Sequence, residues 1–599
     1  MKRLTALLLA ALFLVMSLAG CSSDKEDGQT AVEDEDKGAI IQTYLASAPA
    51  SIDPSAMYGS SETIKLMGLL YEGLTTINED GKLEKALAKE WEYEIDERDD
   101  YMKLEITLNS SRWSDGIIVD AEDFIYAWTR ILRPENKNEN AALLYPILNA
   151  KKAKEGLVSI NDVGLTAVRD NVIEIVFEKE YSDNDFVEYF LRRLASPALV
   201  PLREDIVSSK EGWDVAGRSS YVTNGPFKIK VWDSYELTLE RSVYYRAVSD
   251  KDGNKDDKIV KPYRIVNLYS EGDNANDQFK RYRDEEIASN KVFYVSLSGA
   301  SAEVIEAAED MKKSDVETTD MLSTYCLFFN TNNELLADAR VRKALSIAID
   351  REALAELAGE AEAATGLIPY GVEDVKAKQD FREKGGDILV DEAKIEEAKK
   401  LLKEAGVSGG KLKAEASSAR DYEKRVLNLI ASAWKELGIT LEVSTRRSDY
   451  IYNKANGLSE FTQNEVDIIA FDLQSMTSDA YGMLMQFSSV YGGHPIDVTT
   501  GPSEKDVVYT PYFTGFADEE YDKLCEKIVA AVTTKERTAA MHEAEEYLLE
   551  KAPVAPLFFN CDTYLVSNQL SGIEQDKFGR LDLINLKQKS YDKYLPEEN

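Results

Sequence analysis

Histidine is almost missing from this sequence: His494 and His542 are the only two in 599 residues. Most hydrolytic and metalloenzyme chemistries are thereby short of their commonest general base and ligand. His542 lies in a helix-patterned run, TTKERTAAMHEAEEYLLEK, where its charged neighbours point to a solvated side chain. Cysteine is scarce as well, with four residues and no CxxC spacing, which argues against a zinc site or a disulfide framework. Positive charge is outweighed: 71 Lys and Arg face 108 Asp and Glu, a formal net charge of −37 that repels phosphate backbones and argues against nucleic acid as a partner. SLSGAS at 296–301 is not a G-x-S-x-G elbow. AGVSGGK at 405–411 has Ala405 where a phosphate loop needs its first glycine and Leu412 where it needs a hydroxyl. DKDGNKDD at 250–257 has Lys255 where a calcium loop turns sharply on glycine. All three read as turns or solvent loops, and no cofactor or metal is expected.

What is present is a large globular chain, 44% hydrophobic and 30% charged, too long for one core. From residue 39 onward short β-type runs (KLEITL, VIEIVF, YRIVNLY, TYCLFFN, ITLEV, DIIAFDL) alternate with amphipathic stretches, the pattern of an α/β protein with several lobes. One helix is well signalled. Asp120 is placed to cap it with Asp123 three residues on, Phe124, Ile125, Trp128, Ile131 and Leu132 share a stripe, and Arg133-Pro134 stops it. A second is expected over 391–406, with Ile395, Ala398, Leu401, Leu402 and Ala405 on one face and Gly406 at its end.

The N-terminus addresses the compartment. Lys2 and Arg3 precede the apolar run LTALLLAALFLVMSLAG, too short to favour a spanning helix and laid out like a secretory signal over residues 1–20. Its end, LAGC, resembles the lipobox of bacterial lipoproteins. That resemblance implies cleavage before Cys21 and a diacylated, palmitate-bearing thiol on the outer face of the cytoplasmic membrane. The polar, acidic SSDKEDGQTAVEDEDKG that follows reads as a flexible tether, residues 21–38 together forming the anchored segment. Cys326, Cys525 and Cys561 remain, and buried free thiols are the expectation, with a bridge between one pair left open.

Several stretches together carry a family resemblance. ALAKEWEYEIDERDDYMKLEITLNSSRWSDGIIVDAEDFIYAWTRIL, IDPSAMYGSSETIKLMGLLYEGLTTI, TNGPFKIKVWDSYELTLERSVYY, LFFNTNNELLADARVRKALSIAIDRE and ATGLIPYG occur in family order. They resemble the oligopeptide and dipeptide substrate-binding proteins of ABC importers, the solute-binding proteins of family 5. The resemblance implies a two-lobed periplasmic-binding-protein-like fold with an extra domain inserted in the first lobe. It would divide as 39–80, 205–323 and 562–599 for the first lobe, 81–204 for the insertion and 324–561 for the second lobe. It also implies a monomeric carrier, not an enzyme, that delivers a peptide or peptide-like solute to ABC permease subunits.

The binding residues expected on that basis lie in DIIAFDLQSMTSDAY, where a strand empties into a polar loop at the carboxyl edge of a sheet. Gln474, Ser475, Met476, Thr477, Ser478 and Asp479 are the candidates, with Asp479 equally suited to capping the next helix. In classical peptide binders this segment carries a Trp and, three residues on, an Asp that pairs with the peptide's α-ammonium. Counted without gaps those places are Leu473 and Met476, leaving Asp472 or Asp479 as surrogates. Across the cleft, PSAMYGS at 54–60 matches the family's ligand-pairing edge, and Tyr58 is its candidate contact. Two other classes share parts of the pattern. A sensor or docking lipoprotein would keep the fold and signal to a membrane receptor, whereas a secreted hydrolase would need a nucleophile and base that the sequence does not supply.

Overall fold

The computed structural model describes residues 39–589 apart from 47, 50, 57–60, 79, 97–100, 137, 179–183, 210–211, 247–258, 270–273, 290–293, 360, 377–378, 418–420, 447–464, 493–495, 498–507, 510–512 and 532. Cys21, Tyr58, His494 and the run 250–257 lie outside them. No helix among the described residues is long and apolar enough to cross a membrane.

Two long strands organise the molecule. Ser314–Phe329 and Val554–Ser567 run antiparallel, paired at one end from Ser314 to Asp320 and at the other from Thr324 to Phe328. Between these ends the ladder breaks, and Leu322 turns its backbone elsewhere: its N–H donates to Lys577 O (3.3 Å) and its carbonyl accepts from Ser475 N (2.7 Å). On one side of the break, the sheet continues through Tyr294–Ser296, Ile40–Tyr44, Arg264–Leu268, Glu236–Arg241 and Phe227–Trp232. On the other it continues through Ile468–Gln474, Gly410–Ser417 and Ile439–Arg446. These are two α/β lobes joined by two crossing strands.

Residues 321–329 of the first crossing strand and 468–473 of its neighbour are all buried, because helices cover both faces of the second lobe's sheet. One face holds a separate core that includes Leu327, Phe329, Leu412, Ala414, Trp434 and Ile468. On the other, the Phe328 and Phe471 rings stack with centroids 4.3 Å apart.

The insertion into the first lobe carries its own antiparallel sheet, in the order Ala88–Asp96, Tyr101–Leu108, Val172–Val176, Leu165–Arg169. Its helix Ala121–Leu132 has the expected ends: Asp120 and Asp123 form a reciprocal capping box, and Arg133 is extended ahead of Pro134. Asp123 also accepts from the Trp113 indole (2.8 Å), which ties the Trp-Ser-Asp-Gly turn to the helix start. Burial raises the Asp123 carboxyl to about 6 against the pull of these donors.

Two expectations change. The second helix starts at Ile395, not Asp391, because Asp391 O accepts from Arg351 N and Lys394 N donates to Ile347 O before the helix begins. His542 is only partly solvated, 23% exposed: its ring stacks on Phe381 at 3.8 Å and Nε2 lies 2.9 Å from Asp374 Oδ2. The segment carrying Phe381 and Asp374 covers that face of helix Thr534–Lys551, a long-range contact with no local signature.

A buried ionic trio sits next to the hinge. Lys65 Nζ lies 2.7 Å from Asp562 Oδ1, 2.8 Å from Glu62 Oε1 and 2.8 Å from Ser296 Oγ, with all three charged side chains at 3% exposure or less. Burial pulls the ammonium's pKa down, but Asp562 and Glu62 together hold it well above the ordinary lysine value. Helix Ser61–Leu70, the strand end at Ser296 and the second crossing strand are thereby pinned together.

Candidate functional site

Strand Ile468–Gln474 ends beside the hinge, and its last residues face two small pockets. The hinge pocket is lined by Ile64 and Ser298–Ala300 of the first lobe, by Tyr422, Asp472 and Gln474 of the second, and by Ser323, Asn560 and Cys561 of the crossing strands. The other lies between Glu139, Asn140 and Leu143 of the insertion and Asp472, Gln474, Met476 and Gln486 of the second lobe. Each encloses about 30 Å³, room for a water or two, so the lobes are drawn in over the strand end. Asp472 and Gln474 border both.

Asp472 is 7% exposed, and its Oδ1 accepts from Asn560 Nδ2 (2.9 Å), which also donates to Ser323 Oγ (2.8 Å). A carboxylate is thus held in place by an amide from one crossing strand, itself steadied by a serine from the other. Its neighbour Cys326 has a thiol pushed well up by burial first and then by the Asp472 charge, so it is inert in this setting. No disulfide joins any two of Cys326, Cys525 and Cys561; the first two are buried as expected, whereas Cys561 is only half-buried, on the wall of the hinge pocket.

The loop candidates divide between two sides. Gln474 and Met476 face the pockets just described. Ser475 is fully buried and its hydroxyl donates to Thr477 O (2.8 Å), a structural turn. Thr477, Ser478 and Asp479 line a different cavity, of about 480 Å³, between the insertion and the second lobe. Asp479 Oδ1 accepts from Tyr481 N (3.2 Å) at the start of helix Tyr481–Met485, while its Oδ2 has no hydrogen-bond partner. Leu473, one of the two gapless anchor places, is buried in apolar surroundings. Sequence reasoning missed Ser298–Ala300, which appeared there only as a failed nucleophile motif, and Asn560, for which no local signal exists.

The insertion is fastened to the second lobe across these spaces. Tyr481 Oη donates to Ala142 O (3.1 Å), Arg193 stacks over the Tyr481 ring at 3.9 Å, and Arg192 pairs with Glu373. Tyr509 Oη donates to Glu155 Oε1 (2.8 Å). Burial raises the Glu373 carboxyl while Arg192 opposes that shift.

Known proteins share this plan. The chain is 26% identical to a dipeptide-binding protein, DppE, of Bacillus subtilis over 584 residues, covering 96% of this chain and 97% of that one. Its fold matches the substrate-binding domain of an oligopeptide ABC transporter from Bacillus anthracis with a TM-score of 0.73 at 21% identity, covering 92% and 99% of the two chains. It matches Listeria monocytogenes OppA bound to peptide with a TM-score of 0.73 at 19% identity, again covering 92% and 99%. The family model for bacterial extracellular solute-binding proteins, family 5 (middle), matches residues 82–494. With two lobes on paired crossing strands and a polar site at their junction, the chain belongs to the bacterial extracellular solute-binding proteins of family 5.

Proposed function

We propose that this protein is the substrate-binding component of a peptide importer. In this reading it acts as a monomer, captures a peptide or peptide-like solute between its lobes and passes it to an ABC permease. Cys21 is its lipid anchor and Asp472 is the carboxylate that meets the solute's α-ammonium. The observation that carries the reading is the placement of Asp472: a nearly buried acid, oriented by Asn560, at the one strand end bordered by both lobes and the insertion. A ligand that touches all three bodies favours their closure by its differential affinity, which is what a capture protein requires.

The test uses a tri- to pentapeptide library and the same library N-acetylated, read by thermal shift. Free-amine peptides raise the melting temperature of the wild type, and acetylation or Asp472→Asn removes most of that rise. A charge-assisted hydrogen bond of about 1.5–3 kcal/mol corresponds to a loss of roughly ten- to a hundredfold in affinity. Equal stabilisation by both libraries defeats the assignment. For the anchor, Cys21→Ala releases the protein from washed membranes, since the acidic tether has no apolar face to hold it.

A further inference from the structure

The cavity of about 480 Å³ behind the loop shares no lining residue with either pocket beside Asp472. Its volume falls in the range of small-molecule sites, roughly 300–1,000 Å³. Helix Asn184–Arg193 of the insertion forms one wall, and the first turns of helix Thr534–Lys551 with the Thr477–Asp479 loop form the other.

Its charges are unusual for so acidic a chain. Among the lining residues Arg192 is paired with Glu373, and Asp374 faces His542. What remains is Arg193, Lys376, Lys535 and Arg537 against Glu188, Asp374 and Asp479, a surplus of one positive charge. Arg193 and Arg537 are each 3% exposed and held flat, Arg537 over the Tyr189 ring at 3.8 Å and Arg193 over Tyr481 at 3.9 Å. Nevertheless Arg537 Nη1, Arg193 Nε and Asp479 Oδ2 are buried with no hydrogen-bond partner. Arg193 donates elsewhere to Leu143 O and Tyr189 Oη and Arg537 to Ala531 O, but native structures rarely leave single buried polar atoms without a hydrogen bond, and three such atoms clustered at a roomy cavity point to something that fills it. The N-terminus of the 18-residue helix Thr534–Lys551 opens on the same space and favours an anion there.

We propose that this cavity is a second ligand site, taking an acidic free amino acid with its carboxylates on Arg537 and Arg193 and its ammonium on Asp479 Oδ2. The planar guanidinium groups suit carboxylates, and the lone unmatched carboxylate oxygen suits the ammonium. The occupant bridges the insertion and the second lobe, so it stabilises the closed arrangement and tightens binding in the hinge cleft.

The probe is L-glutamate, titrated calorimetrically into the dialysed full-length protein. One saturable site is expected. Its affinity falls at least tenfold in Arg537→Gln and in Asp479→Asn and is unchanged in Asp472→Asn. Asp479→Asn keeps the Oδ1 turn to Tyr481 N, so it reports on binding even if Arg537→Gln fails to fold. N-acetyl-L-glutamate binds the wild type as weakly as L-glutamate binds Asp479→Asn. No heat at millimolar L-glutamate overturns the proposal. So does binding that survives Asp479→Asn but is lost in Asp472→Asn, which would place the amino acid in the hinge cleft. Glutamate binding that persists while the peptide libraries fail would refute the importer reading and leave this site standing.

Discussion

Lys65→Met tests how the hinge is held. The substitution removes a fully buried ammonium and leaves Glu62 and Asp562, at most 3% exposed, facing each other without a cation. Removing one partner of a buried ionic group costs about 3–5 kcal/mol. For a chain of this size the urea m-value is at least about 3 kcal/mol/M, so the midpoint should fall by at most about 1–1.7 M. The pH dependence provides a second readout. In the variant the stranded carboxylates have raised folded-state pKa values, so stability returns as pH falls and their protonation is completed. The wild type behaves differently. Its raised Lys65 pKa makes the ammonium's contribution fully present below the unfolded value near 10.5 and lost only as pH rises through the folded one. Neutralising the whole trio, Glu62→Gln/Lys65→Met/Asp562→Asn, restores most of the lost stability, because no charge then remains buried. Urea unfolding at pH 5 and pH 8 decides the matter. A loss below about 1 kcal/mol at pH 8, or one that does not shrink at pH 5, refutes the account.

Burial pushes the Asp123 carboxyl from an ordinary 3.8 up to about 6 in the folded protein, so its ionisation removes about 3 kcal/mol of stability between pH 4 and pH 6. Asp123→Asn lacks that loss, so its stability relative to the wild type improves by about that amount from pH 4 to pH 7 in paired melts; a constant difference rules this out. Tyr481→Phe deletes the buried hydrogen bond to Ala142 O and weakens the closed arrangement by about 1–3 kcal/mol. The ligand-free variant should show a larger radius of gyration in small-angle scattering than the wild type, and an unchanged value counts against the contact as a clasp. A Cβ on Gly225 would lie 2.5–2.7 Å from the backbone of Leu70 and Tyr71. Gly225→Ala should therefore lower stability by at least about 1–3 kcal/mol, with little change in melting temperature as the contrary result.

The features legible in advance were those set by near neighbours. The capping box at Asp120 and Asp123, the stripe through Trp128 and the stop at Pro134 need only a dozen residues of context, and the structure has them, with Ile125 only half-buried at the stripe's edge. The family motifs acquire reasons in space: Gly225 sits where its N–H meets Leu70 O, and Asn224 brackets Glu72 with two hydrogen bonds. Gly366 of the ATGLIPYG run leaves room for the Arg382 guanidinium, which is paired with Glu545. The site was less legible because a strand presents alternate residues to opposite faces. Counting without gaps put the family's Trp at Leu473 and its Asp at Met476, with Asp472 only a surrogate beside the first, and one residue along a strand is enough to exchange the two faces. Registration comes from pairing with Ser314–Phe329, where Asp472 lies opposite Tyr325, and that pairing spans about 150 residues of sequence. The second cavity assembles Tyr189, Asp479 and Arg537 from three distant segments, and no window along the chain contains them together.

The crossing strands also dictate an order of assembly. In the first lobe the segment 561–567 lies in the interior of the sheet, between Ser314–Asp320 on one side and Tyr294–Ser296 on the other. Strand Ile40–Tyr44, among the first described residues, joins the crossing strands only through Tyr294–Ser296. As the chain is made, the first lobe therefore carries an open slot in its sheet until residues 561–567 appear, whereas in the second lobe Ile468–Gln474 can already pair with the first crossing strand and carry Gly410–Ser417 and Ile439–Arg446 beside it. Completion waits for pairing across about 250 residues of sequence, a kind that is slow to form. A polypeptide built this way stays short of its native state while it is being made, a condition that suits a chain threaded unfolded through a membrane.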